Sequence, residues 1–349
     1  MAPAMGGYTM GYYLWGHTGS SDHADEDRIR GTCRLLTAPP EVISTCPAEE
    51  LRYGIARLAG ISDRLPSIKT GQTCLTHRAD GAEYLQKTGA RTILWGWSGA
   101  GMSRQLAKKL AKFDSLVVSE GQSVLALRDA GLTKKTRLGP DLSFLVERHL
   151  RALQGAFRID TLGLCLSAGL PEPVEGLLYR SYQRLIRYIM VETNFQVALI
   201  PYCVRTGRDD TLLHRTLERQ FRGWGRVICR KDGNCQELRG DISMCRCVVG
   251  SAGAVAAWSC GVPALCIGAT PRATGLAKEL HSRWEDVVVP ISTLRDEEDL
   301  TRRFRRFLRR EDRLRRELET AVPMRRQRSL EWRWENSSPS SFASVMSGL

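Results

Sequence analysis

The stretch CRCVVGSAGAVAAWSCGVPALCIGATPRATGLAKEL, from Cys245 to Leu280, decides the fold class. It begins with a β-branched run, passes through a turn at Gly250 and Ser251, and continues as small residues that suit a helix. Gly261 and Pro263 end that helix, and a second apolar run follows. The order strand, glycine-rich turn, helix, strand predicts one βαβ unit of a parallel sheet.

The turn at Gly250 and Ser251 directly follows the first predicted strand of this stretch. It therefore lies at the carboxyl edge of the sheet, where open α/β sheets place their ligands. Backbone N–H groups at the start of the following helix make the turn a candidate anion site. A second interpretation is that Gly250 and Gly253 only permit close packing of the chain. The turn by itself leaves both interpretations open.

The same alternation of strand and helix patterns extends over the rest of the chain. Towards the N-terminus it predicts a strand over Tyr8–Trp15, a helix over Asp25–Leu36 and a strand that runs into a Gly/Ser turn at Ser98. Residues 60–80 show little pattern and are predicted to form a loop. Towards the C-terminus the pattern predicts further strand–helix pairs and a last helix over Leu300–Leu318.

Repeated strand–helix alternation is typical of α/β proteins with parallel sheets. A chain of 349 residues is long enough for two domains of ordinary size. We therefore predict two Rossmann-like parallel-sheet domains that face a cleft, followed by a basic C-terminal helix. The predicted boundaries are 1–150 for the N-terminal domain, 151–323 for the C-terminal domain and 324–349 for a partly disordered extension.

The composition is that of a globular protein without a membrane span. Hydrophobic residues make up 42% of the chain, and no window holds the roughly 18 consecutive apolar residues that a span needs. The N-terminal sequence MAPAMGGYTMGYYLWG lacks the basic start of a signal peptide. Eleven cysteines are dispersed without a Cys-x-x-Cys pair, which indicates reduced thiols rather than disulfides or a zinc site. We therefore expect a cytoplasmic protein that holds no metal ion and no cofactor.

The net charge of +13 favours anionic partners, and much of it lies after residue 300. There the predicted helix 300–318 carries many arginines and an apolar stripe that includes Phe304 and Leu314. Docking of the stripe on the protein, with a solvated arginine face, is the commoner arrangement. Peripheral contact with an anionic membrane is the alternative. Nucleic acid is not expected as a partner, because the arginines are concentrated on one terminal helix and match no nucleic-acid-binding module.

The loop between the first strand and the first helix combines glycines, hydroxyls and histidines. Gly16, Gly19 and Ser20 are typical of a ligand-binding turn. The acids that open the following helix would repel a phosphate, so the loop is expected to orient hydroxyl groups or to supply a base. His17 and His23 could provide that base. On spacing alone, capping and packing explain the two histidines equally well.

Seven stretches spread along most of the chain together show a resemblance to a known family. They are GHTGSSDHADEDRIRGT (16–32), LWGWS (94–98), KFDSLVVSEGQSVLALRDAGL (112–132), GPDLSF (139–144), ALIPYCVRTGRDD (198–210), QELRGDISMCRCVVG (236–250) and AAWSCGVPALCIGATPRATGLAKEL (256–280). In this order and spacing, the chain from Tyr12 to Pro323 resembles the polysaccharide pyruvyl transferases. In the first stretch, His23, Glu26 and Arg30 fit the family's pattern.

The resemblance implies a transferase that moves the pyruvyl group of phosphoenolpyruvate to a sugar hydroxyl of a glycan or glycan precursor and releases phosphate. It also implies a fold similar to that of two-domain GT-B glycosyltransferases, with the acceptor on the N-terminal side and the donor on the C-terminal side. We predict three catalytic residues, His23, Glu26 and Asp209. The predicted substrate-binding residues are Gly16, His17, Gly19, Ser20, Arg30, Ser98, Arg205, Gly250, Ser251, Arg272 and Gly275.

The sequence departs from the family pattern at a position where the chemistry needs charge. Before the alanine-rich helix the family usually has Arg-x-His, whereas this chain has Gly-Ser-Ala at 250–252. Enolpyruvyl transfer requires cations that hold phosphate and carboxylate, and an acid that protonates the methylene carbon. Arg205, Arg246 and Arg272, which we expect in or beside the cleft, could replace the lost cation.

Two other functions stay open at this point. A catalytically silent relative would keep the cleft and bind a glycan precursor or a partner enzyme, and the departure at 250–252 favours it. A glycosyltransferase that uses a nucleotide sugar is the third hypothesis, because a Gly-Ser turn before a helix also suits a diphosphate.

Overall fold

A computed structural model describes most of the chain. The described residues are 12–17, 23–36, 40–44, 60–62, 72–77, 89–99, 102–150, 160–205 and 208–332, with the single positions 55, 79, 85 and 87. They form two parallel sheets flanked by helices, and a short antiparallel pair of strands. The predicted α/β class with two parallel sheets is confirmed.

The first sheet contains seven parallel strands in the order β3-β2-β1-β4-β5-β6-β7. Its strands are β1 (Tyr12–His17), β2 (Glu41–Ser44), β3 (Gly60–Ser62), β4 (Thr73–Thr76), β5 (Arg91–Trp95), β6 (Ser115–Val118) and β7 (Thr136–Leu138). The described helices between them are α1 (His23–Leu35), α2 (Arg104–Leu110) and α3 (Gly121–Asp129). The strand order reverses between β1 and β4, and open α/β sheets bind ligands at the carboxyl ends beside such a reversal.

The prediction of a loop over residues 60–80 is wrong, because two strands lie there. β3 forms one edge of the first sheet, and β4 lies in its centre between β1 and β5. The apolar residues of β4 are Cys74 and Leu75, and both are buried. A four-residue strand is too short to show a period in the sequence. Its pairing on both sides, which only the fold provides, stabilises it.

The second sheet contains six parallel strands in the order β12-β9-β8-β13-β14-β15. Its strands are β8 (Thr161–Cys165), β9 (Gln196–Leu199), β12 (Val227–Cys229), β13 (Cys247–Gly250), β14 (Ala264–Ile267) and β15 (Val288–Val289), while β10 (Val204–Arg205) and β11 (Arg208–Asp209) form the antiparallel pair. The helices are α4 (Val174–Glu192), α5 (Asp210–Gln220), α6 (Cys235–Ser243), α7 (Ala252–Ser259) and α8 (Pro271–Leu280).

The stretch from Cys245 to Leu280 folds as the predicted βαβ unit within the second sheet. β13 pairs with β8 on one side and with β14 on the other, and α7 connects β13 to β14. The small residues of α7 let it lie close to the sheet, and Trp258 near its end is fully buried. Gly261 has φ +78° and turns the chain into β14, a conformation that favours glycine.

Two helices follow the second sheet, and we call them the C-terminal strap. α9 (Asp299–Leu308) and α10 (Glu311–Glu331) replace the single helix predicted over 300–318, and α10 extends well beyond it. The apolar stripe of the strap faces the core of the second sheet, as the docked-helix interpretation predicts. Its buried members are Phe304, Phe307, Leu314 and Leu318.

The end of the C-terminal strap returns to the first sheet. Trp332 packs edge-on against Trp95 of β5, with 5.1 Å between the ring centroids. Its indole Nε1–H donates to the carbonyl oxygen of Leu138 at 3.2 Å. The guanidinium of Arg325 lies over the ring of Phe144, 5.1 Å from its centroid. The strap therefore contacts both sheets.

The outward face of the strap is rich in arginine, and acids neutralise part of it. Arg302 pairs with Asp296 and Asp299, and Arg313 pairs with Asp286. Because the apolar stripe lies in the core, only the charged face is left for contact with an anionic membrane, and such contact stays a prediction. In the described ranges, no helix has both the length and the apolar character of a membrane span.

His214 of α5 is a buried histidine without a visible partner. It is 1% exposed, and neither ring nitrogen has a hydrogen-bond partner within the described part of the chain. Burial lowers the pKa of His214 from its ordinary value of 6.5 to about 3. The folded chain therefore keeps this imidazole neutral at mildly acidic pH, whereas the unfolded chain protonates it.

Acidification is expected to destabilise the chain through His214. Between pH 7 and pH 5 the free energy of unfolding should fall by about 2 kcal/mol from this group, because only the unfolded state gains the proton. As the pH falls, this loss of unfolding free energy begins near the pKa of His214 in the unfolded chain. It continues until the pH approaches the lower pKa of His214 in the folded chain. Urea denaturation of the parent chain and of His214→Leu at both pH values measures it. Equal losses of stability in the two proteins would contradict this role.

Candidate functional site

Residues that follow the strands of the two sheets meet across a common cleft. Glu120, which follows β6, packs against Gly275 of α8. Tyr202, which follows β9, donates its hydroxyl hydrogen to Asp27 of α1 at 2.9 Å. Both contacts join the carboxyl edge of one sheet to the other half of the chain. The predicted arrangement of two parallel sheets that face a cleft is therefore confirmed.

A buried ion pair holds the two halves together beside this cleft. Arg239 of α6 is fully buried and donates Nε–H and Nη2–H to the two carboxylate oxygens of Asp27, at 2.9 and 2.7 Å. Its Nη1 donates to the hydroxyl of Ser259 at 2.6 Å. Burial alone would lower the pKa of Arg239, but Asp27 raises it well above the ordinary value. The bidentate contact therefore fixes α1 to α6.

Glu26, predicted to be catalytic, and Arg30, predicted to bind substrate, lie in the same interface. The Glu26 carboxylate accepts Nε–H of Arg30 at 2.8 Å and the backbone N–H of Cys235 at 2.7 Å. Both charged side chains are buried, with 5% exposure for Glu26 and 8% for Arg30. These contacts join α1 to the first residue of α6. A role in catalysis or substrate binding stays a prediction for each.

Arg272, predicted to bind a substrate anion, forms a bidentate pair with Asp141. Its Nε and Nη2 donate to the Asp141 carboxylate at 2.6 and 2.8 Å. Burial alone would raise the pKa of Asp141, but Arg272 lowers it well below its usual range. Arg272 keeps 21% side-chain exposure, and its Nη1 donates to no group within the described ranges. One edge of this guanidinium can therefore still hold an anion.

Ser98 and Gly275, both predicted to bind substrate, meet at the buried carboxyl of Glu120. Ser98 and Ser119 donate their hydroxyl hydrogens to this carboxyl at 3.1 and 3.2 Å, and Ser123 donates a third. A Cβ atom at Gly275 would lie 2.5 Å from Cβ of Glu120, so the glycine makes room for that side chain. Burial raises the pKa of Glu120. Substrate binding by Ser98 and Gly275 stays a prediction.

The turn after β13 combines close packing with an uncapped helix. A Cβ atom at Gly250 would lie 2.4 Å from the carbonyl oxygen of Cys165, so the chain packs too closely there for a side chain. The Ser251 side chain does not cap α7. Its hydroxyl lies 2.7 Å from the hydroxyl of Ser167, which follows β8. The start of α7 thus presents backbone N–H groups without a side-chain cap, beside two hydroxyls.

Asp209, predicted to be catalytic, caps the start of α5. Its carboxylate accepts the N–H of Thr211 at 2.9 Å and the Thr211 hydroxyl hydrogen at 2.6 Å. The neighbouring Asp210 accepts three backbone N–H groups from the segments that follow β8 and β9, at 2.8 to 3.0 Å. Burial raises the pKa of Asp210 to about 6. Capping accounts for the contacts of Asp209, and its catalytic role stays a prediction.

Six predicted site residues have no described side chain. Backbone positions are given for Gly16 and His17 at the end of β1, His23 at the start of α1 and Arg205 at the end of β10. Gly19 and Ser20 lie outside the described residues. The two histidine positions bracket the loop at the carboxyl edge of the first sheet. Their roles stay predictions.

The expectation that Arg246 lies in or beside the cleft is wrong. Arg246 precedes β13, and its Nη1 pairs with Asp160, which precedes β8, at 2.7 Å. Its Nε pairs with Glu311 of α10 at 2.8 Å. Residues that precede parallel strands lie at the amino edge of the sheet, away from the carboxyl edge that forms the cleft. Arg246 therefore fixes the strap to the second sheet.

The sequence predictions miss several residues that build this region, among them Glu120 and Asp141. Asp27, Tyr202 and Arg239 form the buried interface, and Ser167 supplies the hydroxyl beside Ser251. The sequence does contain a signal for Asp27. Three consecutive acids lie near the start of α1, more than the favourable interaction with the helix dipole explains. Tyr202, Arg239 and Ser167 lie among apolar or polar residues that give no sign of burial against a distant partner.

The described part of the cleft offers groups that bind an anion. These are the start of α7, the hydroxyls of Ser167 and Ser251, and one edge of Arg272. Among the described residues, no group of three His, Cys, Asp or Glu side chains could hold a metal ion. The arrangement is therefore suited to a substrate that carries phosphate or carboxylate.

Comparison with known sequences and structures adds two findings. A family profile described as "Polysaccharide pyruvyl transferase" matches residues 73–270. No curated protein sequence matches the chain. The profile covers the carboxyl edges of β4, β5, β6, β8, β13 and β14, with Glu120, Ser167 and Ser251 among the residues described above, whereas α1 and Arg272 lie outside the match.

Several solved structures share the two-sheet fold at low sequence identity. Anabaena Alr3699/HepE, in complex with UDP and glucose, is 13% identical, with a TM-score of 0.58 over 97% of this chain and 100% of that chain. A putative UDP-N-acetylglucosamine 2-epimerase from Listeria monocytogenes is 10% identical, with a TM-score of 0.64 over 92% and 93%. S. aureus MnaA with UDP is 10% identical, with a TM-score of 0.61 over 89% and 90%. The fold is GT-B-like.

Proposed function

The chain belongs to the polysaccharide pyruvyl transferase family, and we propose that it moves a pyruvyl group from phosphoenolpyruvate to a sugar hydroxyl of a glycan or glycan precursor. The observation that carries this proposal is the uncapped start of α7 beside the hydroxyls of Ser167 and Ser251. It lies in the cleft and is suited to an anionic donor. Family membership supports the choice of phosphoenolpyruvate over other anions.

The donor carries a phosphate and a carboxylate, and both need hydrogen-bond donors. In this proposal the N–H groups at the start of α7 and the hydroxyl of Ser251 hold one anionic group. The free Nη1 edge of Arg272, at the start of α8, supplies a cation for the other. Asp141 fixes the orientation of that guanidinium through the bidentate pair. In this proposal the family's Arg-x-His pattern is replaced by backbone N–H groups, hydroxyls and Arg272, which also pairs with Asp141.

The reaction also needs an acid and a base. A proton adds to the methylene carbon of phosphoenolpyruvate, which makes the adjacent carbon electrophilic. A sugar hydroxyl forms a C–O bond to that carbon and gives its proton to a base, and a second hydroxyl of the sugar then displaces phosphate to close the ketal. His17 and His23, at the carboxyl edge of the first sheet, are the proposed proton-transfer groups.

Ser251→Asp tests the proposed donor site. Aspartate is a favoured N-cap residue and α7 has no side-chain cap in the parent chain, so the variant should fold. Its carboxylate would occupy the N–H groups of α7 and repel the donor, and phosphoenolpyruvate binding should weaken by about 100-fold. Titration calorimetry with phosphoenolpyruvate measures the change. The matched control is Ser103→Asp, the same substitution at the exposed N-cap of α2, which should leave binding unchanged.

The outcomes of this titration separate the competing functions. If the parent chain and Ser103→Asp bind phosphoenolpyruvate and Ser251→Asp does not, the result supports the donor site. Equal binding by the parent chain and Ser251→Asp would move the donor site away from α7. A parent chain that binds no phosphoenolpyruvate at millimolar concentration would overturn the proposed activity.

A nucleotide-sugar glycosyltransferase is the second candidate function. The same uncapped start of α7 suits a diphosphate, and two of the similar structures are described in complex with UDP. A parallel titration with UDP-glucose distinguishes it, because binding of UDP-glucose without phosphoenolpyruvate would favour this function. A chain that binds neither ligand would leave the catalytically silent relative, which holds a glycan precursor or a partner enzyme.

A further inference from the structure

A second cleft lies where the C-terminal strap crosses the first sheet, and we call it the strap cleft. Its volume is 420 Å³, and its walls come from the ends of β6 and β7, from the end of α8 and from α10. It contains none of the residues assigned to the proposed donor site. Its size is within the range of clefts that hold small organic ligands, about 300–1,000 Å³.

Two arginines of α10 give the strap cleft a positive charge. Arg325 pairs with Glu279, and its Nη2 donates to the carbonyl oxygen of Ser119 at 3.4 Å. Its Nε is buried and has no hydrogen-bond partner in the described part of the chain. Arg328 is exposed and forms no ion pair with a described carboxylate. One of the two charges is therefore left without a counterion, and both guanidinium groups keep unused donors.

Large apolar side chains line the strap cleft beside the polar groups of Ser119, Glu279 and Ser329. Leu138 and Leu280 line it from the first sheet and from α8, Met324 lines it from α10, and Trp332 lines it from the position after that helix. Met324 is 50% exposed, so its side chain is accessible to a ligand in the cleft. An apolar wall beside an unpaired cation is suited to a ligand that has both an apolar part and an anionic head.

We propose that the strap cleft binds an amphiphilic organic anion, with a phosphate or carboxylate head at Arg328 and an apolar chain along Met324 and Trp332. A simple inorganic anion would leave the apolar wall in water, and a neutral apolar ligand would leave Arg328 without a counterion. A ligand with an anionic head and an apolar chain both pairs with Arg328 and covers the apolar wall. This proposal does not depend on the pyruvyl transfer proposed above.

Titration calorimetry with n-octyl phosphate tests the proposal, with inorganic phosphate and 1-octanol as the two half-ligands. Octyl phosphate should bind saturably, and each half-ligand should bind at least tenfold more weakly. Arg328→Gln should weaken octyl phosphate binding by about tenfold, because it removes a charge-assisted contact. Met324→Glu should abolish binding, because it places a negative charge on the apolar wall. Both substituted residues are exposed, so both variants should fold.

The matched control is Arg326→Gln, which removes the same charge from the exposed neighbouring position on α10 but outside the cleft lining. It should change octyl phosphate binding by less than about twofold. Equal weakening by Arg326→Gln and Arg328→Gln would mean attraction to the basic surface as a whole, and would overturn the proposal. Unchanged binding by Met324→Glu would overturn it as well, and so would equal affinities for octyl phosphate and inorganic phosphate.

Discussion

Replacement of Arg239 by alanine is expected to lower the free energy of unfolding by about 3–5 kcal/mol, because it leaves a buried charge without its partner. Among the described residues, Asp27 would keep only the hydroxyl of Tyr202 as a side-chain hydrogen-bond partner, at 2.9 Å, and no cation in contact. Arg239 itself is fully buried and bidentate, so water cannot replace it without entering the interface. Urea denaturation followed by circular dichroism measures the loss.

The control for this prediction is a partly exposed arginine whose buried partner, Glu311, keeps a second cation in Arg315. Arg246 also pairs with two acids, but its side chain is 39% exposed, and Arg246→Ala should cost about 1 kcal/mol or less. A second test replaces both members of the buried pair. The double variant Asp27→Leu with Arg239→Met should recover most of the stability, because apolar side chains of similar size need no counterion. Similar losses for Arg239→Ala and Arg246→Ala would contradict the buried interface.

A return to the family pattern at position 250 is expected to prevent folding. Gly250→Arg should cost about 3 kcal/mol or more, because overpacking of a closely packed core forces backbone and side chains apart. Any Cβ atom there would lie 2.4 Å from the carbonyl oxygen and 2.8 Å from Cβ of Cys165, on the adjacent strand β8. The yield of folded protein and its midpoint of urea denaturation measure the effect.

The control is position 252, where the family's Arg-x-His pattern has its histidine. Ala252 is exposed in the first turn of α7, so Ala252→His should fold with little change in stability. Gly250→Ala should already be destabilised, because it adds only the atom that clashes. A stable Gly250→Arg variant would contradict the packing described here. If Gly250→Arg fails and Ala252→His folds, the chain cannot regain the family's arginine at this turn by a single substitution.

The fold was predictable from sequence wherever an apolar run was long enough to show a period. The stretch around Gly250 predicts its strand, turn, helix and strand because each of these elements has its own composition. β4 shows no such pattern, because two buried residues between threonines look like a loop. Its place in the sheet centre depends on pairing with β1 and β5, which are far apart in the sequence. The predicted helix ends at Leu318, whereas α10 continues to Glu331 and passes through Pro323.

The candidate site was less predictable, because the same residue types serve binding and assembly. Glu26 and Arg30 look like a catalytic acid and a substrate clamp, yet they contact each other and the backbone of Cys235, which is 209 positions away from Glu26. Arg272 was expected at the cleft, and the structure adds Asp141 as its partner. A sequence shows that a charge is present, but not which distant group neutralises it.

The crossing of the C-terminal strap also has a consequence for how the chain is made. The ribosome releases the first sheet early, but the indole of Trp332 reaches Leu138 across 194 positions of sequence. Until that last helix emerges, the surface around Trp95 and Gly139 stays without its cover. Domains generally fold as they are synthesised, whereas distant contacts form late. The N-terminal half therefore completes its packing only after the strap has been synthesised, about 190 residues later than its last strand.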